Sequence, residues 1–372
     1  MPRTNPTHRD PRLDVLRGLA LVMIFINHVP GNLWTNTTSR NFGFSDAAEG
    51  FVLIAGLSAA LAYGRWFRSP LQFQVGLGRI WGRVWTLYLV QIFITVLALG
   101  LTVGLAGWFG DPSILNHNKV DLFLADPGNA LLRLPLLIQH LDYFDILPMY
   151  IVLLFFTPFA LILAWRWPLA LFGASVGLWW VAVTFRINLP NHGNPSGWFF
   201  NPLAWQILFV IGLLAGTAMQ QGRRLVPRHP ALLALAGGYL GLSLVWLNWQ
   251  PLGDSMGGLL WQAEQAGVPR YLTTFDKTFL PVPRLLHILA LAYVLSAIGG
   301  LKQVCTARYA APFGLLGRQG LLVFAAGSVI AVGLQSVRLQ TGGDAMTDTI
   351  MLAGGLAGLF ALAALQQYWP KA

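Results

Sequence analysis

Long apolar runs alternate with short polar connections along the whole chain. Ten runs are long enough to cross a hydrocarbon core of about 30 Å: 13–33, 46–66, 84–106, 146–165, 168–186, 202–220, 230–248, 284–301, 313–337 and 349–368. The pattern predicts an all-α fold, a polytopic integral membrane bundle of about ten transmembrane helices. The two longest connections, 107–145 and 249–283, hold most of the acidic residues, and loops of this size in a compact protein tend to be functional. Leu131 to Leu141 reads as a short amphipathic helix lying at the interface. The spacings Gly173/Gly177, Gly237/Gly241 and Gly354/Gly358 fit close helix packing.

Composition agrees with that class. The chain is 55% hydrophobic and 10% charged, where a soluble domain carries roughly a quarter charged residues. Its formal charge is +10, but the cations are spread over alternate connections rather than gathered into a patch, which excludes a nucleic-acid partner. One set of connections holds Arg3, Arg9, Arg12 and Arg17, then Arg65, Arg68, Arg79 and Arg83, then Arg166. It continues with Arg223, Arg224 and Arg228, then Lys302 and Arg308, and finally Lys371. Its only acids are Asp10 and Asp14, while the opposite set carries the remaining aspartates of the loops. By the positive-inside rule both termini face the cytoplasm. Residues 1–372 then form a single membrane domain, with 1–12 a short cytoplasmic tail and 107–145 and 249–283 the longer loops outside. No small-residue cleavage site follows the first apolar run, so it reads as a span and not a signal peptide. Cys305 is the one cysteine, which excludes internal disulfides, and its cytoplasmic position argues against a catalytic thiol.

Ionisable residues inside apolar runs are costly and mark working sites. The first run holds Arg17 and His28. Eleven helical residues advance about 16 Å and turn about 20° past three full turns, so the two share a face half a membrane apart. The second run opens with Asp46 and Glu49, three residues apart and on one side of a helix. The expected outcome is a His–carboxylate cluster under the outer surface, in which the imidazole takes a proton and a carboxylate fixes its tautomer. The bland alternative is a His28 bonded to a backbone carbonyl. A metal site would need a second imidazole such as His287, so no metal is expected. Arg17 follows Asp14 by one turn, as a snorkelling pair would. With Arg12, Arg79, Arg83 and Arg318 it is also placed to meet phosphates. Arg284 and His287 open the eighth run, near Lys277 in sequence. Asn201, Trp205 and Gln206 open the sixth; amide and indole groups there suit sugar hydroxyls and ring faces, although Trp is also an ordinary interface residue.

The segment RLDVLRGLALVMIFINHVPGN, with an arginine, ten residues and a histidine, resembles the acyltransferase-3 superfamily of membrane O-acyltransferases. NFGFSDAAEGFVLIAGLSAALAYG resembles its OpgC branch more narrowly. So do LPMYIVLLFFTPFAL, NPLAWQILFVIG, DKTFLPVPRLLHILALAY and LGRQGLLVF, and the similarity runs from Arg12 to Phe324. No esterase-like extension is expected beyond the tenth run, unlike in some superfamily members.

The resemblance implies a multi-pass enzyme of the bacterial inner membrane that acylates osmoregulated periplasmic glucans. It implies acyl-CoA (succinyl-CoA or acetyl-CoA) as co-substrate, no permanently bound cofactor, and a periplasmic glucan or other glycan as acceptor. Expected partners are membrane lipid and proteins of glucan biosynthesis. On that reading His28 is the general base, oriented by Asp46 or Glu49, and Arg17, Arg79, Arg83 and Arg318 bind the donor. Arg284, with Lys277 second, would meet the free carboxylate of a succinyl group, while His287, Asn201, Trp205 and Gln206 serve the acyl group or acceptor. Direct transfer is expected, with an acyl-His28 intermediate as the stepwise variant. The rival readings are a proton-coupled transporter with His28, Asp46 and Glu49 as a relay, and a non-catalytic scaffold.

Overall fold

The computed structural model describes residues 10–368, and these are helical with no strand among them. Arg3, Arg9 and Lys371 of the charge pattern lie outside the described residues. Each of the ten apolar runs corresponds to helix. In chain order the main helices are α1 (Pro11–Asn27), α2 (Ala47–Tyr63), α3 (Phe73–Phe109), α4 (Ile146–Arg166), α5 (Pro168–Phe185) and α6 (Pro202–Gln220). They continue with α7 (Pro230–Asn248), α8 (Val282–Ala297), α9 (Ala311–Arg318), α10 (Gly320–Thr341) and α11 (Ala345–Tyr368). Proline opens α1, α5, α6 and α7, where its missing N–H costs nothing. Asp10 caps α1 by accepting from the Arg12 backbone N–H at 3.0 Å.

The helices agree with a polytopic bundle, and eight described ones are long and apolar enough to cross a membrane by length and composition. The helices of the first and eighth runs are shorter, with 17 residues in α1 and 16 in α8. α3 has 37 residues, or about 55 Å of helix, and so carries Arg79 and Arg83 on the same rod as the third run. The ninth run is not continuous. The helix breaks at Gln319, and Arg318 ends α9 while Gly320 begins α10. No helix covers 131–141: a short helix spans Pro127–Arg133, and the chain turns at Leu137, which has φ +56°.

Close packing uses other glycines than those expected. A Cβ at Gly173, Gly177, Gly237, Gly241, Gly354 or Gly358 would meet nothing within 4 Å. At Gly56 it would stand 2.0 Å from the Phe209 carbonyl oxygen, and at Gly212 2.1 Å from that of Leu53. α2 and α6 therefore touch backbone to backbone. The same holds for α1 and α9, where a Cβ at Gly317 would lie 1.8 Å from the Asp14 carbonyl oxygen. These two pairs set the positions of the amino end of α2 and of the break at Gln319, which form parts of the two cavities described next.

Candidate active site: two cavities that share a wall inside the bundle

Where α1 ends, His28 continues the helical backbone for one residue and its N–H still bonds back to Ile24 at 2.9 Å. Its carbonyl accepts from the Gln335 side-chain amide of α10, and Gln335 in turn accepts from Asn118 Nδ2 at 2.6 Å. The imidazole lies 5.0 Å from the Tyr143 ring, centroid to centroid, and 6.3 Å edge-on to Phe324. It is half-buried and lines a cavity of about 550 Å³ together with Asp46, Lys277 and Arg284. Two further lining residues, Lys119 (φ +61°) and Tyr143 (φ +70°), hold left-handed backbone. Such strain in bulky residues persists only where the surroundings enforce it, and it concentrates at functional sites.

Asp46 and Glu49 form a capping box at the start of α2. The Asp46 carboxylate accepts from the Ala48 N–H at 2.8 Å, and Glu49 reaches back to the Asp46 N–H at 2.9 Å. The free oxygens of both are taken by cations. Lys277 Nζ lies 2.5 Å from Asp46 Oδ2, and the Arg284 guanidinium donates to Glu49, which has no exposed surface. Among the described residues no hydrogen bond joins the His28 ring to either acid. The expected tautomer-fixing bond is absent, because each carboxylate is committed to a helix cap and a cation. Asp46 and Lys277 still stand close enough for their charges to act on the imidazole.

A second cavity of about 570 Å³ opens toward the other end of the bundle. Arg17, Arg83 and Arg318 line it with Ser58, Tyr63 and Tyr150. Arg17 donates to Ser58 Oγ at 2.6 Å, and its guanidinium is 3.8 Å from Asp14. The break at Gln319 exposes the first residues of α10 to this cavity, so the interruption of the ninth run shapes it. Ile146 and Phe324 line both cavities. They are 6% and 5% exposed, so they form a shared wall between the arginines and His28.

The remaining expected residues lie elsewhere. Arg79 is outside both cavities, its guanidinium over the Trp66 ring at 4.8 Å. His287 is buried behind the loop before α2; its Nδ1 accepts from the Ser45 hydroxyl at 2.7 Å, and its Nε2 packs against Gly43. Asn201 caps α6 through the Leu203 N–H, and Gln206 bonds Ser175 of α5. Trp205 has no exposed surface and donates to the Lys277 carbonyl at 3.0 Å, which holds the loop bearing that lysine. These four contact the protein itself and not the cavity.

Several lining residues had no distinct sequence signal: Tyr143, Arg40, Ile146 and Phe324. Arg40 and Tyr143 sit in connections, and the other two look like ordinary apolar helix positions. Only the Asp46–Glu49 spacing before an apolar run carried its structural role openly, as the capping-box signature.

A multi-pass helical bundle with ionisable side chains lining two cavities defines the class as a polytopic membrane protein. The family model for the OpgC protein matches residues 9–371, nearly the whole chain. The chain belongs to the OpgC family, and membership implies a membrane-associated acyltransferase role in glucan modification. No curated protein and no solved structure matches it.

Proposed function

We propose that this protein moves an acyl group, most suitably succinyl, from cytoplasmic acyl-CoA to a hydroxyl of a periplasmic glucan, with both termini in the cytoplasm and His28 as general base. The observation that carries the reading is the pair of cavities sharing Ile146 and Phe324, with arginines in one and His28 in the other. A donor with a phosphate-bearing head and a long thin arm fits that arrangement. Arg17, Arg83 and Arg318 meet the phosphates, and the arm carries the thioester past Phe324 toward His28.

The glucan hydroxyl enters the His28 cavity from the periplasmic side. His28 takes its proton as the oxygen attacks the thioester carbon, and the imidazolium returns that proton to the departing thiolate. No covalent enzyme intermediate is needed. The backbone bond from Gln335 and the flanking rings of Tyr143 and Phe324 hold the imidazole in place of a carboxylate. Asp46–Lys277 and Arg284–Glu49 supply a fixed, charge-balanced wall beside it. His287, Asn201, Trp205 and Gln206 act as positioning residues for that wall and the loop before α2.

The test is purified protein in lipid vesicles, supplied with labelled succinyl-CoA and a glucan. O-ester on the glucan is the expected product. Movement of label across the vesicle with no ester formed would replace this reading with a transporter.

A further inference from the structure

The His28 cavity is lined by four permanent cations: Arg40, Lys119, Lys277 and Arg284. Three are matched. Lys119 Nζ lies 2.8 Å from Asp142, Lys277 pairs with Asp46, and Arg284 pairs with Glu49. The remaining lining acid, Asp145, faces His140 Nδ1 at 3.2 Å. Arg40 has no acid partner and no side-chain hydrogen bond among the described residues, so it is the lining cation whose guanidinium is not already engaged.

Arg40 is not a wandering surface side chain at its base. It sits in the turn Ser39–Asn41, which is tied down on both sides. The Thr38 hydroxyl donates to Asn27 Oδ1 at 2.9 Å, and Asn41 Nδ2 donates to the Thr35 carbonyl at 2.7 Å. Asn27 is the residue before His28, so this turn is keyed to the end of α1. Arg40 also neighbours Tyr143, the ring next to His28. Burial and Asp142 raise the Tyr143 phenol above its ordinary range, and the Arg40 charge works in the opposite direction.

We propose that Arg40 binds the free carboxylate of a dicarboxylic acyl group while its thioester end lies at His28. This rests on the acyltransferase reading above. A carboxylate leaving water needs a cation, and Lys277 and Arg284 can offer one only by abandoning Asp46 and the buried Glu49. Arg40 can do so without breaking an existing pair, and its planar fork matches a carboxylate with two parallel hydrogen bonds. Because Arg40 is exposed at the cavity mouth, the pairing is partly screened and worth a moderate factor.

The experiment compares initial rates of purified, reconstituted protein with succinyl-CoA and acetyl-CoA on the same neutral glucan. Arg40→Ala should lower the succinyl rate roughly tenfold relative to the acetyl rate, and Arg40→Lys should recover part of the loss. Free succinate should inhibit the unaltered protein and inhibit Arg40→Ala several-fold less. Equal loss with both donors, or no loss with either, overturns the assignment. If the unaltered protein makes no ester with either donor, the enzymatic reading itself fails, and that outcome is distinct from the others.

Discussion

Glu49 has no exposed surface, and among the described residues the cation that pairs with its carboxylate is the Arg284 guanidinium, which comes from a helix more than two hundred residues away. The pair locks the start of α8 to the start of α2. Removing one partner of a buried pair leaves an uncompensated charge, at a cost of about 3–5 kcal/mol. Arg284→Ala should therefore lower thermal stability in detergent by far more than Arg284→Ala, Glu49→Gln together. A double variant no more stable than the single one would show that the pair is not what matters.

His28→Ala should abolish glucan acylation while leaving a monodisperse, folded protein. With the intact residue, the rate should fall as the pH is lowered, because a protonated imidazole cannot accept the hydroxyl proton. Initial rates across pH with a saturating donor check this. A His28→Ala protein with undiminished rate would remove the residue from the chemistry.

Arg83 and Arg318 line the inner cavity, whereas Arg79 stacks on Trp66 outside it. Substituting Arg83 or Arg318 with alanine should raise the KM for acyl-CoA by roughly tenfold, as loss of a charge-assisted phosphate contact does. Arg79→Ala should leave that KM within about twofold, as expected of an exposed group. Donor titrations on the three variants separate the two behaviours.

Phe324 stands between the two cavities. Phe324→Trp should narrow the wall and lower kcat for succinyl transfer, with binding of CoA itself unchanged. Phe324→Ala should admit acyl groups longer than succinyl. Both are read from a donor series of increasing chain length, and an unaltered series in both variants would move the acyl path away from this wall.

Gly56→Ala puts a methyl against the Phe209 carbonyl, where 2.0 Å is available, so α2 and α6 must part. Overpacking of this kind costs about 1–3 kcal/mol. Gly237→Ala meets nothing and should be neutral or slightly stabilising through helix propensity. Thermal unfolding of the two variants side by side tests whether glycine matters by contact or by spacing.

The membrane class and most helix positions were legible along the chain, because hydropathy and helical rise are local properties. The expected bond between His28 and a carboxylate was not, because a sequence shows which acids are near but not which cation claims them. Asp46 and Glu49 are taken by Lys277 and Arg284, brought in by the loop after Thr273 and by α8. Trp205 and Gln206 sit at the start of an apolar run like interface residues, yet α6 turns them onto Lys277 and Ser175.

Apolar run length and charge alternation, readable one residue at a time, determined that this is a multi-pass helical protein with an imidazole and an arginine in its first span. Tertiary structure alone decided which charges pair, that Arg40 has no acid partner among the described residues, and that Ile146 and Phe324 line both cavities. Those outcomes depend on which helices touch, and the touching is set by backbone approach at glycines such as Gly56 and Gly317, whose surroundings no linear spacing reveals.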